Sequence, residues 1–391
     1  MKVLFFTHHY LDDNSGGSFA SRAYINAFTE IADTCMLMYP DRGIPIAGFM
    51  HKKCILKGIP NRRNNIQKVI DIYRGRIHRY TQVMLNQIKE FQPDIVVFDN
   101  SRTTSGMLDK VKKTGAKTIT IHHNYEMEYY RGTKPSIAWR IPFMYYMEKA
   151  ERTAIRNSDL NLTLTDEDIS LLRLHYDTEI KSKIVRLGSF ESVADQKPVN
   201  DNDQKSNTKE DRQLCFAITG TLGSYQTEVS VIPFLENEYP ELLKRVPESK
   251  LIIAGRSPSD KMIEACSKYP TVELIANPDD MSEIMNRADI YICPTCVGGG
   301  LKLRVMDGLK AGLPVLTHAV SARGYDEFLR ANCLFSYENT DTFRSSLDTL
   351  LSERSKGTLD GKKIRELYHS FFSFQAGVNR LRGILQQHDM I

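Results

Sequence analysis

The sequence predicts an α/β protein built from two successive doubly wound units, and three observations carry that prediction. Short apolar, β-branched runs alternate with longer amphipathic stretches over most of the chain, the rhythm of a parallel sheet with helices on both faces. The rhythm stops at residues 191–213, ESVADQKPVNDNDQKSNTKEDRQ, where almost no large apolar residue occurs, and then restarts. The 391 residues also exceed what one core of ordinary size holds, so two units of somewhat under about 200 residues each are expected.

In the first half the strand candidates are VLFF (3–6), CMLMY (35–39), IVVF (95–98), TITI (118–121), LNLTL (160–164) and IVRL (184–187). In the second half they are CFAIT (215–219), LIIA (251–254), VELIA (272–276), IYIC (290–293), VLTH (315–318) and CLFSY (333–337). The resulting division is a first unit over 1–188, a flexible linker over 189–213, a second unit over 214–370 and a closing helix over 371–391. Spacing leaves open whether that helix returns to the first unit. Two such units leave a cleft at the carboxyl ends of their strands, where ligands of open parallel sheets bind.

Composition excludes several classes. No segment approaches the roughly 18 uninterrupted apolar residues of a membrane span, and the opening MKVLFFTHHY reads as a first strand rather than a signal peptide. Seven scattered cysteines fit reduced thiols in the cytoplasm better than a disulfide framework. Residues 1–190 carry about eight more Lys and Arg than Asp and Glu, and the remainder is acidic, so an anionic surface should meet the first half. The excess is concentrated between His51 and Glu90, where ten basic residues interleave with Ile66, Val69, Ile70, Tyr73, Ile77, Tyr80, Val83 and Met84. Helical spacing of those apolar residues predicts a basic amphipathic helix, either a solvated face or a contact with anionic lipid headgroups.

The motifs that bear chemistry sit after strands. Gly298, Gly299 and Gly300 precede a helix whose apolar positions include Leu301, Val305 and Leu309. Glycines there let a ligand reach the backbone, and exposed N–H groups with the helix dipole favour an anion, to which Lys302 adds a full charge. The Asp307 carboxylate leans towards the helix amino end, where it can reach hydroxyls beside a phosphate. The loop fits neither a dehydrogenase fingerprint nor a Walker loop, and pattern alone leaves a structural loop and an anion site both open. GTLGSY (220–225) and AGRSPS (254–259) lie at the same sheet end, with Arg256 placed to hold a diphosphate or simply to face solvent. In the first unit NSGGSFASRAYINAF (14–28) follows the first strand. TIHHNYEMEYYR (120–131) follows the fourth and places His123 towards the cleft while alternation turns His122 away.

The stretches FAITGTLGSYQTEVSVIPFLENEYPELLKRVPESKLIIAG and ADIYICPTCVGGGLKLRVMDGLKAGLPVLTHAVSARGYD resemble the carboxyl-terminal domain of retaining GT-B glycosyltransferases, close to glycosyltransferase family 4. The resemblance spans the second unit and, more loosely, the first. It implies the GT-B architecture, two Rossmann-like domains facing each other across a cleft. It further implies that Gly220, Thr221, Gly298, Gly299, Gly300 and Leu301 line a nucleotide-diphosphate site with Arg256 and Lys302. The family's Glu-x7-Glu falls on Gly299 and Asp307: the ribose-holding acid is kept as Asp307, and the acid that faces the transferred sugar is replaced by Gly299. Gly16 and Gly17 match a family Gly-Gly beside the donor diphosphate, and the strand-His-Asn pattern aligns His123 and Asn124 as the sugar contact.

The function implied is transfer of a hexosyl or N-acetylhexosaminyl group from a nucleotide-diphosphate sugar, UDP-linked, to a glycan acceptor, lipid-linked, with retention of configuration. The setting would be assembly of a bacterial-type surface polysaccharide or glycoconjugate at the inner face of the membrane. His123, Arg256 and Lys302 are the catalytic candidates. No cofactor, metal or nucleic acid is expected. A non-catalytic module that stabilises or targets a partner transferase, favoured by Gly299, and a sugar-nucleotide epimerase are the alternatives. Cys293 and Cys296 lack a second ligand pair for zinc, and Asp166, Glu167 and Asp168 after Thr165 read as a helix cap rather than a metal motif.

Overall fold

The computed structural model describes residues 1–13, 15–46, 48, 50–60, 65–73, 81–131, 140–177, 183–193 and 213–391. It divides into two compact units, Met1–Asp195 with Gly299–Leu301 and Phe371–Ile391, and Gln196–Gly298 with Lys302–Ser370.

The first unit contains β1 (Lys2–Thr7), β2 (Thr34–Asp41), β3 (Cys54–Pro60), β4 (Ile95–Asp99), β5 (Lys117–His122), β6 (Leu160–Thr163) and β7 (Ile184–Arg186). They form a parallel sheet in the order β3-β2-β1-β4-β5-β6-β7. Alternation along β1 explains its burial on both faces. Leu4 and Phe6 join Met36, Met38, Val96 and Phe98 under Met84 and Ile88 of helix Thr81–Phe91. Phe5 points the other way, onto Phe28 of helix Gly16–Ile31, with ring centroids 5.8 Å apart. Each such fully buried aromatic contributes about 1.5–3 kcal/mol relative to exposure.

The second unit contains β8 (Cys215–Thr221), β9 (Lys250–Arg256), β10 (Val272–Ala276), β11 (Ile290–Cys293), β12 (Val315–His318) and β13 (Leu334–Tyr337), parallel in the order β10-β9-β8-β11-β12-β13. Its core joins Ile218, Ile253 and Ile292 of the sheet to Phe234, Tyr239 and Phe343 of the helices. In both sheets the order reverses beside the first strand, between β1 and β4 and between β8 and β11, which marks the switch points where loops leave room for a ligand.

Three expectations need correction. Residues 54–60 within the basic segment are not helical but form the edge strand β3, whose half-exposed alternation CILKGIP is hidden by the lysines around it. The same segment supplies two helices, Asn65–Tyr73 and Thr81–Phe91, while Arg62, Arg63, Arg74, Arg76, Arg79, Ile77 and Tyr80 lie outside the described residues. Ser189 and Phe190, placed in the linker by the division at 188, are fully buried in the first unit; residues 194–212 of the linker lie outside the described residues. The closing segment is not one helix: it breaks at Ser373, whose side chain accepts from the Ala376 N–H and caps helix Phe374–Gln387 after helix Gly361–Phe372 ends.

Helix Phe374–Gln387 packs in the first unit, not the second. Gly377 lies so close to Phe190 that a Cβ there would come 2.1 Å from the ring, and Arg380 donates to the carbonyls of Leu187, Ser189 and Phe371. Tyr24 stands edge-on to Phe190 at 5.5 Å and donates to the Gly188 carbonyl. The helix therefore anchors the segment that leaves the first sheet. Thr165 accepts from the Asp168 N–H at the start of helix Asp166–Tyr176, the capping role read for that acidic run.

Candidate active site

At the switch point of the first sheet, β1 ends at Thr7 and is followed by His8 and His9, β4 ends on Asp99, and β5 is followed by His123. Asp99 is fully buried, and its Oδ1 lies 2.6 Å from His123 Nε2. Its other oxygen accepts from the Ser21 hydroxyl of helix Gly16–Ile31. Burial opposes the charge of His123, but the Asp99 charge and hydrogen bond outweigh it and raise the imidazole pKa above its ordinary value. Burial likewise opposes the Asp99 charge, and here too the His123 charge and hydrogen bond win, holding the carboxyl below the usual range. Each partner thus favours the charged form of the other.

The flanking histidines are different. His122 turns back to Asn161, with its Nε2 3.0 Å from the side-chain Oδ1 of Asn161, and burial pushes its pKa down to about 4. His9 is also pushed to about 4, by burial and then by the charge of His123. Asn100, next to Asp99, takes φ +80 and is held by its side chain, which donates to Glu126 and accepts from the Arg102 N–H. Such backbone, costly for a residue with a Cβ, persists because both sides of the turn are bonded. Gly16 and Gly17 open the helix capped by Ser15. A Cβ on Gly17 would fall 2.4 Å from His9 Cε1, so this glycine makes room for the imidazole.

The second unit brings another set together. Register places Gly220 beside Gly255 and Thr221 beside Arg256 at the ends of β8 and β9. Arg256 is exposed there. A Cβ on Gly220 would meet the Arg304 guanidinium at 2.4 Å, and Arg304 donates to Thr227 Oγ1 at 2.9 Å. Arg304 is therefore a third cation of this half-site, 84 residues from Gly220 and without any sequence signal for that proximity.

Beyond β11, Gly298 takes φ +87 and Gly300 φ +69, values that favour glycine. A Cβ on Gly298 would lie 2.8 Å from Gln226 Nε2 and 3.2 Å from Lys302 Nζ, so the ammonium sits beside the glycine loop. Lys302 is the N-cap of helix Leu303–Lys310, and no side chain caps that end. By contrast Ser224 caps the helix that follows β8. The bare amino end thus keeps the dipole and N–H groups of one helix available to an anion. Leu301 is buried in the loop before this helix rather than in it, and Asp307 is exposed one turn in. Gly299, Gly300 and Leu301 group with the first unit, and Gly298 and Lys302 with the second.

Comparison with known proteins bears on these geometries. Residues 217–353 match the profile described as Glycosyl transferases group 1. Apart from Gly299–Leu301, the matched residues lie in the second unit. No curated protein matches the chain by sequence. Among solved structures, a glycosyltransferase from Rickettsia africae is similar at 13% identity and TM-score 0.67, over 99% of this chain and 98% of that one. HepE from Anabaena, solved in complex with UDP-glucose, is similar at 11% identity and TM-score 0.64, over 99% and 100%. WaaG, a glycosyltransferase involved in lipopolysaccharide biosynthesis, is similar at 17% identity and TM-score 0.59, over 94% and 95%. The two-unit fold of this chain is the GT-B fold of glycosyltransferases. No helix among the described residues is long and apolar enough to cross a membrane.

Proposed function

We propose that this chain transfers a hexosyl or N-acetylhexosaminyl group from a UDP-linked donor to a lipid-linked glycan, retaining the anomeric configuration, in assembly of a surface polysaccharide or glycoconjugate. The observation that carries the reading is the second unit's switch point: a glycine loop, the Lys302 ammonium beside Gly298, and an uncapped helix amino end. That combination suits a diphosphate. The donor complex of HepE and the role named for WaaG support a nucleotide sugar and a surface glycan, respectively.

In this reading the acceptor oxygen attacks the anomeric carbon on the face the diphosphate leaves. The bond from that carbon to the leaving phosphate oxygen breaks, and the acceptor proton passes to the departing diphosphate. Lys302, Arg256 and the helix amino end stabilise the charge that develops on that oxygen, an interaction stronger in the transition state than in the bound donor. Gly220, Thr221, Gly298, Gly299, Gly300 and Leu301 give the diphosphate access to backbone, Asp307 holds the ribose, and Gly16, Gly17 and His123 are the candidates for further contacts with donor and sugar. A peripheral contact with anionic lipid at the inner face of the membrane is supported by exposed Ile66, Ile70 and Tyr73 at helical spacing and by exposed Ile141 and Tyr145.

Thermal-shift measurement with UDP, GDP, ADP and CMP tests the donor class, because tight binding to the folded state raises the melting temperature. UDP should give the largest rise; failure of every nucleoside diphosphate refutes the reading. Gly299 in place of the family's acid favours a second reading, a non-catalytic module that stabilises a partner transferase. Donor turnover by the isolated chain, abolished in Lys302→Ala, excludes it.

A further inference from the structure

We propose that His9, Asp99 and His123 form a binding site for a divalent cation of the zinc class. Asp99 ends β4, and His9 and His123 lie just beyond β1 and β5, at the carboxyl ends of neighbouring strands of the first sheet. One ligand atom from each lies within 4.8 Å of the other two. His9 Nε2 is buried and makes no hydrogen bond. An imidazole nitrogen held in the interior without a partner costs free energy, and a cation supplies the missing partner.

The surroundings hold the three side chains in place. His9 is gripped between Gly17, which has no Cβ to displace it, and the rings of His8 and His123, at centroid distances of 4.1 and 5.0 Å. The Ser21 hydroxyl occupies one Asp99 oxygen and leaves the other for a ligand bond. Hydrogen bonds of this kind orient metal-binding carboxylates. Two imidazoles and one carboxylate suit Zn²⁺ and Co²⁺ better than Mg²⁺ or Ca²⁺, which prefer oxygen donors, and three protein ligands leave a fourth position open.

Tetrahedral zinc with bonds near 2.0–2.1 Å sets its ligand atoms about 3.3 Å apart. The His123–Asp99 contact of 2.6 Å must therefore open by under about 1 Å, while the widest separation, at most 4.8 Å, closes by about 1.5 Å, movements within reach of side-chain rotation. The cation replaces the Nε2 proton of His123, which leaves to solvent. All three ligands belong to the first unit, so binding does not depend on the transfer reading. If that reading holds, the occupied site withdraws His123 from the sugar, and zinc inhibits transfer.

The test uses the full chain freed of metal by chelator and dialysis, titrated with CoCl₂ under visible absorption and with ZnCl₂ in a calorimeter. One equivalent should bind with the intense absorption of four-coordinate cobalt. Binding should weaken by about 100-fold or more in His9→Ala and Asp99→Asn, by about 10-fold in Ser21→Ala, and stay unchanged in His51→Ala, which removes the exposed His51–Glu30 pair. Absence of stoichiometric binding, or binding that survives in both His9→Ala and Asp99→Asn, overturns the proposal. Should those variants fail to fold, one equivalent of ZnCl₂ should shift the ring resonances of His9 and His123 in NMR spectra of the unaltered chain, and rings unmoved by zinc refute it.

Discussion

Asp99→Asn removes one charge from the buried pair and leaves the side chain's shape. At an effective dielectric of about 20, unit charges about 3.5 Å apart attract by about 5 kcal/mol, and removing one partner of a buried pair costs about 3–5 kcal/mol. His123 can escape part of that cost by losing its proton, since burial already favours the neutral ring once Asp99 no longer opposes it. The midpoint of His123 should therefore fall from above about 6.5 to below it, each unit being worth about 1.4 kcal/mol. The sign for stability follows. A histidine raised in the folded state stabilises fully below its unfolded value near 6.5 and loses that contribution as pH rises through the folded value. Asp99, lowered when folded, contributes above its unfolded value of about 3.8 and loses the contribution as pH falls. The deficit of Asp99→Asn in urea unfolding should thus be largest between about pH 4 and 6.5 and shrink above it. NMR titration of the His123 ring reads the midpoint directly. A midpoint unchanged by Asp99→Asn would refute the ion pair as the cause of the shift.

Lys302→Ala should lower turnover of the nucleotide-sugar donor by about 100-fold or more, read in an initial-rate assay. Gly17→Ala pushes a methyl to within 2.4 Å of His9 Cε1 and should destabilise the chain by about 1–3 kcal/mol in urea unfolding; wild-type stability would show that the ring can move freely. His122 is pushed to about 4 by burial, so the unfolded chain binds its proton first as pH falls from about 6.5 to 4, and stability drops by about 3 kcal/mol across that window. His122→Asn should flatten that slope in melts taken at successive pH values. Gly377→Val drives a side chain into Phe190 and should detach helix Phe374–Gln387, visible as faster amide exchange there and in Leu187–Phe190.

All six strands of the second unit were legible in the sequence because each is a short apolar run, buried on both faces in most of them and kept apolar in VELIA of the half-exposed edge strand β10. β3 was not, since an edge strand with one wet face, carrying Lys57 and following Lys52 and Lys53, gives little hydrophobic signal. The glycine loop and Lys302 were legible because backbone freedom and charge are written in residue type. Asp99 was missed for the opposite reason. It is a polar residue ending a buried strand, and its bond to His123 joins positions 24 apart that only the β4–β5 register brings side by side. Arg304 escaped in the same way, because a side chain from the first turn of helix Leu303–Lys310 reaches Gly220 near the end of β8, 84 residues away in sequence. Gly17 was read for a ligand, and the structure adds a second demand on it, the ring of His9.

The central claim is that the second unit's switch point binds a nucleoside diphosphate through Lys302 and the helix amino end. Calorimetric titration of the wild-type chain and Lys302→Ala with UDP tests it most directly. The account predicts a single saturable site in the wild type and at least about tenfold weaker binding in the variant, a loss of about 1.4 kcal/mol. Equal affinity in both, or no binding to the wild type, would contradict it.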